Sequence, residues 1–140
     1  MTVTEFDTKV AVVVREDLAA WQRLNVTAFL MAGITAAAGP EAIGEDYVDG
    51  DGRHYLALLV QPVLVFEASA GRLTTLRERA ERRGVDVAIY TADMFSTGND
   101  GDNRAAVRAV PTADLDLVGL GARGPHRDVD AILRGVSRHP

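Results

Sequence analysis

The chain has no cysteine among its 140 residues. That excludes a thiol nucleophile, a disulfide framework and a thiolate metal centre. It also agrees with a reducing cytoplasm, the expected location. Histidine is almost as scarce, with His54, His126 and His139 only, and no two stand at a spacing suited to a shared metal ion. No metal and no cofactor are expected. Basic charge is outweighed, 15 basic residues against 20 acidic, for a net charge of −5. Broad contact with nucleic-acid phosphates needs a concentrated positive surface, so this balance argues against nucleic acid as a partner. Long hydrophobic runs are lacking too. The uncharged stretch Leu24 to Pro40 contains Asn25, Thr27, Thr35 and Gly39-Pro40, and it is shorter than the roughly 20 apolar residues a membrane span needs. It reads as a buried core helix. The opening residues Met1 to Thr8 are polar, with Glu5 and Asp7, unlike a secretory signal.

What is present is an α/β pattern, expected as a single domain over residues 1–140. Val10 to Val14 is a continuous β-branched run, as in a strand covered on both faces. A helix over Leu18–Ala38 follows, stopped by Gly39-Pro40. Tyr47 to Tyr55 reads as a hairpin around Asp49-Gly50-Asp51-Gly52. Pro62 breaks the apolar stretch Leu56–Phe66. Ser69 is placed to cap a helix over 70–83 with Leu73, Leu76 and Ala80 inward and Gly84 ending it. Val85–Tyr90 is a further strand, Thr97–Arg104 a polar loop and Leu115–Leu120 the last strand. A closing amphipathic helix follows Pro125, with Val129, Ile132, Leu133 and Val136 inward. Strand–helix alternation of this kind predicts a three-layer α/β/α domain on a mostly parallel or mixed sheet of four to five strands.

Several motifs invite chemistry and are weighed against plainer roles. Gly119-Leu120-Gly121-Ala122-Arg123-Gly124 matches the G-x-G-x-x-G dinucleotide pattern. The sequence through Pro140 supplies neither the following strand nor the acidic ribose partner about 20 residues on. A tight glycine turn before a helix at Pro125 is the expectation. Asp49 to Gly52 and Asn99 to Asn103 resemble calcium loops, but the later ligand positions hold Arg53, Val60, Arg104 and Pro111. Arg72, Arg77, Arg79, Arg82 and Arg83 could form a phosphate-binding face, though Glu78 and Glu81 dilute it and a solvated face is expected. Among the histidines, His54 on the hairpin is the one candidate acid or base.

Two polar insertions sit where strands should end. Asn25 and Thr27 lie just after the first strand, and Asp93, Ser96 and Thr97 follow the strand ending at Tyr90. If those strands run in the same direction, the groups converge on one rim, the usual position of ligand sites in α/β sheets. The alternative is that Asn25 and Thr27 satisfy local backbone groups and Asp93 caps a turn. Both remain open at this point.

The same residues carry a family resemblance. The valine strand running into Arg15-Glu16-Asp17-Leu18 resembles the opening of the type II peptidyl-tRNA hydrolases, and Gly124-Pro125 followed by Val129-Asp130 resembles their end. A closer resemblance is to an uncharacterised sister family, a domain of unknown function labelled two-thousand. It rests on Trp21-Gln22-x-Leu24-Asn25-Val26-Thr27-Ala28-Phe29, Asp49-x-Asp51-Gly52, Gln61-Pro62, and Met94-Phe95-x-Thr97-Gly98 with Asn103-Arg104. The resemblance covers most of the chain. It implies a peptidyl-tRNA hydrolase II-like fold and, as in those relatives, a homodimer. It also places an asparagine, Asn25, where the hydrolases carry a lysine regarded as catalytic. An amide cannot supply that positive charge. Their acidic residue and threonine correspond to Asp93 and Thr97. The expected site is therefore a small-ligand site with Asp93, Thr97 and Asn25 in the reactive roles and Asp17, Thr27, His54, Met94 and Asn103 around them. A hydrolase of a small amide or ester, and a peptidyl-tRNA hydrolase proper, are the competing readings.

Overall fold

The computed structural model describes residues 6–138; His139 and the first five residues lie outside them. Eleven elements follow in order: β1 (Thr8–Arg15), α1 (Ala20–Ala38), β2 (Tyr47–Val48), β3 (His54–Tyr55), β4 (Val63–Ala68), α2 (Ala70–Arg82), β5 (Val87–Thr91), α3 (Asp100–Arg108), β6 (Leu117–Pro125), α4 (His126–Ile132) and β7 (Ser137–Arg138).

The central strand is the β-branched run. Val10 to Val14 are at most 2% exposed, because β1 lies in the middle of a five-stranded sheet ordered β5-β6-β1-β4-β7. Only β1 and β4 pair in parallel; the β1–β6, β5–β6 and β4–β7 ladders are antiparallel. The sheet is mixed, which corrects the mostly parallel alternative. A strand covered on both faces reads as β-branched whichever way its neighbours run, so the sequence pattern reports burial and not direction. Two antiparallel steps through β6 leave β1 and β5 running the same way, so their carboxyl ends share one rim.

Side chains alternate between two cores. Val12 and Val14 pack with Val26 and Leu30 of α1, with Tyr90 and with Val118. Ala11 and Val13 pack on the other face with Leu73 and Leu76 of α2 and Val129 and Ile132 of α4. The result is helices on both sides of one sheet. The α2 reading holds in detail: Ser69 Oγ accepts from the Arg72 amide at 3.2 Å, Leu73, Leu76 and Ala80 are buried, and Gly84 takes a φ of 66°.

Four expectations are corrected. First, α1 is not buried all round. Val26, Leu30, Ile34 and Ala38 form one inward stripe at a spacing of four, while Trp21, Leu24 and Phe29 are 63%, 73% and 59% exposed. Second, Gly119 to Gly124 is not a turn, since β6 runs straight through it to Pro125. Gly119 and Gly121 make room for α1. Third, the expected loop Thr97–Arg104 runs into α3. Asn99 caps it, with Oδ1 accepting from the Asp102 amide at 2.8 Å, and Asp100 and Asp102 occupy its positive first turn. Fourth, β6 is followed by a further short strand, β7, which edges the sheet beside β4.

The hairpin of β2 and β3 is organised by Asp49. Its Oδ1 accepts from the amides of Asp51 (2.9 Å) and Arg53 (3.0 Å), and its Oδ2 accepts from the Tyr55 hydroxyl at 2.8 Å. The Tyr55 hydrogen bond, with the turn amides, holds the Asp49 carboxyl below the ordinary range. Among the described residues no helix is long and apolar enough to cross a membrane, and no cluster of His, Asp and Glu could hold a metal ion.

Candidate functional site

The shared rim of β1 and β5 carries two different arrangements. At the end of β1, Arg15 bridges two carboxylates: its Nε donates to Asp17 Oδ1 at 2.6 Å and a terminal nitrogen donates to Asp116 Oδ1 at 2.8 Å. The Arg15 hydrogen bond holds the Asp17 carboxyl below its usual range. Asp17 is thus paired with Arg15, whose other bond, to Asp116, closes the rim between β1 and β6. Next to it, Arg23 Nε donates to the Leu18 carbonyl at 3.0 Å and Arg23 pairs with Glu67 at 3.1 Å. Thr27 returns its hydroxyl to the Arg23 carbonyl of its own helix at 2.7 Å. This satisfies a local backbone group, as the plainer reading of Thr27 expected.

The end of β5 opens into a groove of about 980 Å³ between α1, the 3₁₀ turn Ala92–Ser96 and α3. Trp21, Asn25 and Phe29 stand four residues apart and so share one face of α1, and all three line this groove. Its floor is aromatic. Trp21 meets Phe95 edge-on at 6.0 Å between ring centres, Phe95 meets Tyr90 at 5.2 Å, and Tyr90 meets Phe29 at 6.1 Å. Four rings therefore form a continuous band, at separations where edge and tilted contacts are favourable.

Polar groups face this band. The Thr97 hydroxyl is shared between the Met94 carbonyl, at 2.9 Å, and the Asn103 amide oxygen. That contact ties the 3₁₀ turn to α3 and leaves the Asn103 NH₂ without a protein partner among the described residues. Met94 supports the turn from below, its sulfur accepting from the Thr91 amide at 3.2 Å. Asn25 makes no side-chain hydrogen bond among the described residues, although it is only half exposed. Arg104 and Arg108, one helical turn apart, complete the far wall. Arg104 pairs with Asp100 at 3.0 Å, and Arg108 has no partner among the described residues.

Of the eight residues expected at the site, the groove brings together Asn25, Met94, Thr97 and Asn103. Asp93 is exposed on the 3₁₀ turn and does not line the groove. The tight turn directs Met94 and Phe95 inward in its place. A general base must come within about 3 Å of the proton it takes, so the expected pairing of Asp93 with Asn25 across one pocket is not found. His54 is exposed in the β2–β3 hairpin, opposite Val48, and Thr27 and Asp17 are committed as described. Residue-type reasoning missed Trp21, Phe29, Tyr90 and Phe95 as lining groups. Their signal was the spacing Trp21-x₃-Asn25-x₃-Phe29, which aligns a polar amide with two large rings.

The groups lining the groove offer stacking faces, amide hydrogen bonds and the Arg108 guanidinium. The one carboxylate on the groove, Asp100, is held by Arg104, and the Thr97 hydroxyl faces no group that could take its proton.

Comparison with known proteins gives the family and the fold. The family model described as a protein of unknown function (DUF2000) matches residues 8–140. The solved structure of a protein of unknown function from Agrobacterium tumefaciens strain C58 superposes with a TM-score of 0.94 at 41% sequence identity, covering 97% of this chain and 100% of that one. No curated protein matches the chain significantly. The match over nearly the whole length places the chain in the DUF2000 family of proteins of unknown function.

Proposed function

We propose that the groove between α1, the 92–96 turn and α3 binds a small ligand with a flat apolar body and a polar edge. One observation carries this reading: two amides with unused hydrogen-bonding capacity, Asn25 and Asn103, face a continuous band of four aromatic rings in a single groove. The groove's volume is within the range of small-molecule sites, and an apolar lining with a few convergent polar groups is their usual composition. Rings offer a stacking surface, the amides read a donor and acceptor pattern, and Arg108 adds a positive end.

Trp21 is the sole tryptophan and lies on the groove wall, so it reports occupancy directly. Titration of a panel of planar metabolites against Trp21 emission should find a saturable change. That change should weaken at least tenfold in Asn25→Leu with the fold intact. A panel that gives no saturable change, while the same compounds also leave the melting temperature unmoved, would overturn the reading.

Binding is preferred to hydrolysis because asparagine stands at the lysine position and Asp93 lies off the groove. The reading predicts no cleavage of peptidyl-tRNA in an assay where a bona fide hydrolase cleaves it. Association into a homodimer belongs to the same reading. The exposed apolar side chains Leu24, Leu56, Leu58 and Val60 are what such an association would cover. Sedimentation equilibrium at micromolar concentration tests it.

A further inference from the structure

On the face of the sheet opposite the groove, where α2 and α4 pack, four arginines converge. Arg79, Arg82 and Arg83 from the end of α2 and Arg134 from the end of α4 surround a cleft of about 440 Å³. Such a concentration is unexpected in a chain of net charge −5.

Part of the cluster has a structural role. Arg79 donates through one terminal nitrogen to the Ile132 carbonyl at 3.0 Å and the Arg134 carbonyl at 2.8 Å, closing the C-terminal end of α4. Arg83 donates through one terminal nitrogen to Asp128 at 3.0 Å. These contacts account for α2 docking on α4, while Arg72, Glu78, Glu81 and Arg82 lie exposed, as a solvated face requires. The contacts do not account for the cleft. Arg79 and Arg83 each use a single nitrogen of a guanidinium that carries five N–H donors, so both are fixed in place with donors to spare. Arg82 and Arg134 have no partner among the described residues. Of the carboxylates on these two helices, Glu81 faces Arg77 at 3.1 Å, Asp130 faces Lys9 and Asp128 faces Arg83, while the exposed Glu78 has no partner among the described residues. Four guanidinium groups thus line one cleft in which only Arg83 is paired with a carboxylate among the described residues, and like charges gathered in one place favour the entry of an anion.

We propose that this cleft is an oxyanion site for a small ligand bearing adjacent phosphoryl groups, separate from the aromatic groove. Guanidinium groups accept two oxygens of a phosphate side by side. Arg79 and Arg83 supply a preorganised floor, and Arg82 and Arg134 are the mobile arms that close on a second phosphoryl group. One phosphate would engage only part of the donor set, so a diphosphate is the better match for the charge.

Inorganic pyrophosphate is the probe. At constant ionic strength it should bind saturably by calorimetry, raise the melting temperature, and bind at least tenfold more tightly than inorganic phosphate or sulfate. Arg82→Gln and Arg134→Gln should each weaken it at least tenfold. Both side chains are exposed and unpartnered, so the fold, checked by far-UV circular dichroism, is retained. Arg108→Gln, in the groove, should leave the affinity unchanged. Equal affinity in all variants, no saturable binding, or binding of an oligonucleotide but not of pyrophosphate would each overturn the proposal.

Discussion

Gly119 of β6 lies directly beneath Val26 of α1: a β-carbon built on Gly119 would stand 2.4 Å from Val26 Cγ1 and 3.1 Å from Leu30 Cδ1. Gly121 bears the same relation to Ile34, at 2.5 Å. The two glycines let α1 approach the sheet closely. Gly119→Ala should therefore destabilise the protein by about 1–3 kcal/mol through overpacking. Adding Val26→Ala removes the colliding methyls, so the double variant should lose less than the sum of the single losses. Urea unfolding of the four proteins in the cycle checks this, and strict additivity would show that the two residues are not in contact.

Thr91, the last residue of β5, is 2% exposed and its hydroxyl has no hydrogen-bond partner among the described residues. A buried unpaired hydroxyl costs about 1–3 kcal/mol relative to a satisfied one. Valine has nearly the same shape and suits a strand. Thr91→Val should accordingly leave stability unchanged or raise it by about 1 kcal/mol, read as a higher urea midpoint at constant slope. A clear drop in the midpoint would mean that the hydroxyl is satisfied in solution.

The contrast between α2 and α3 shows what the sequence makes legible. In α2 the cap (Ser69), the inward spacing (Leu73, Leu76, Ala80) and the stop (Gly84) all point to the same helix, so its bounds can be read to within a residue. In α3 no residue is fully buried, so no apolar period marks it. Its cap and first turn, Asn99-Asp100-Gly101-Asp102, use the same residue types as a loop. The G-x-G pattern of β6 misleads for a related reason: small residues mark a close approach equally well in a turn and under a packed helix. Strand ends were enough to bring Asn25, Met94, Thr97 and Asn103 to one place. The aromatic band was hidden because rings at a helical spacing read as core, and only the fold shows that Val26, Leu30 and Ile34 already fill that core.

The start of β1 is tied to α4 by the Lys9–Asp130 ion pair. The Lys9 hydrogen bond holds the Asp130 carboxyl below its usual range. A carboxyl with a depressed folded-state pKa adds stability that is present above its unfolded value, near 4, and is lost as pH falls through the folded one. Asp130 is about half exposed, so solvent screens the pair and its worth at neutral pH is under about 1 kcal/mol. Asp130→Asn should be slightly less stable than the parent at pH 7. The gap should shrink below about pH 4 and close at still lower pH. Urea midpoints from pH 2 to pH 7 measure it, and a gap that widens in acid would contradict the assignment.

The groove divides the residues of the 92–96 turn into two kinds, and substitution should separate them. Phe95 joins Trp21 to Tyr90 through ring contacts at 6.0 and 5.2 Å, whereas Asp93 is exposed outside the groove. Phe95→Ala removes the ring that shields one edge of the indole, so Trp21 emission should shift to longer wavelength. It also deletes the centre of the stacking band, so any groove ligand should bind about tenfold more weakly or worse, since aromatic contacts of this kind are worth about 0.5–1.5 kcal/mol beyond their burial. Asp93→Asn should change neither the emission nor the titration. Had Asp93 been the base of a hydrolytic site, its amide would have abolished turnover and altered the groove's charge. Equal effects from the two substitutions would therefore return Asp93 to the site and reopen the catalytic reading.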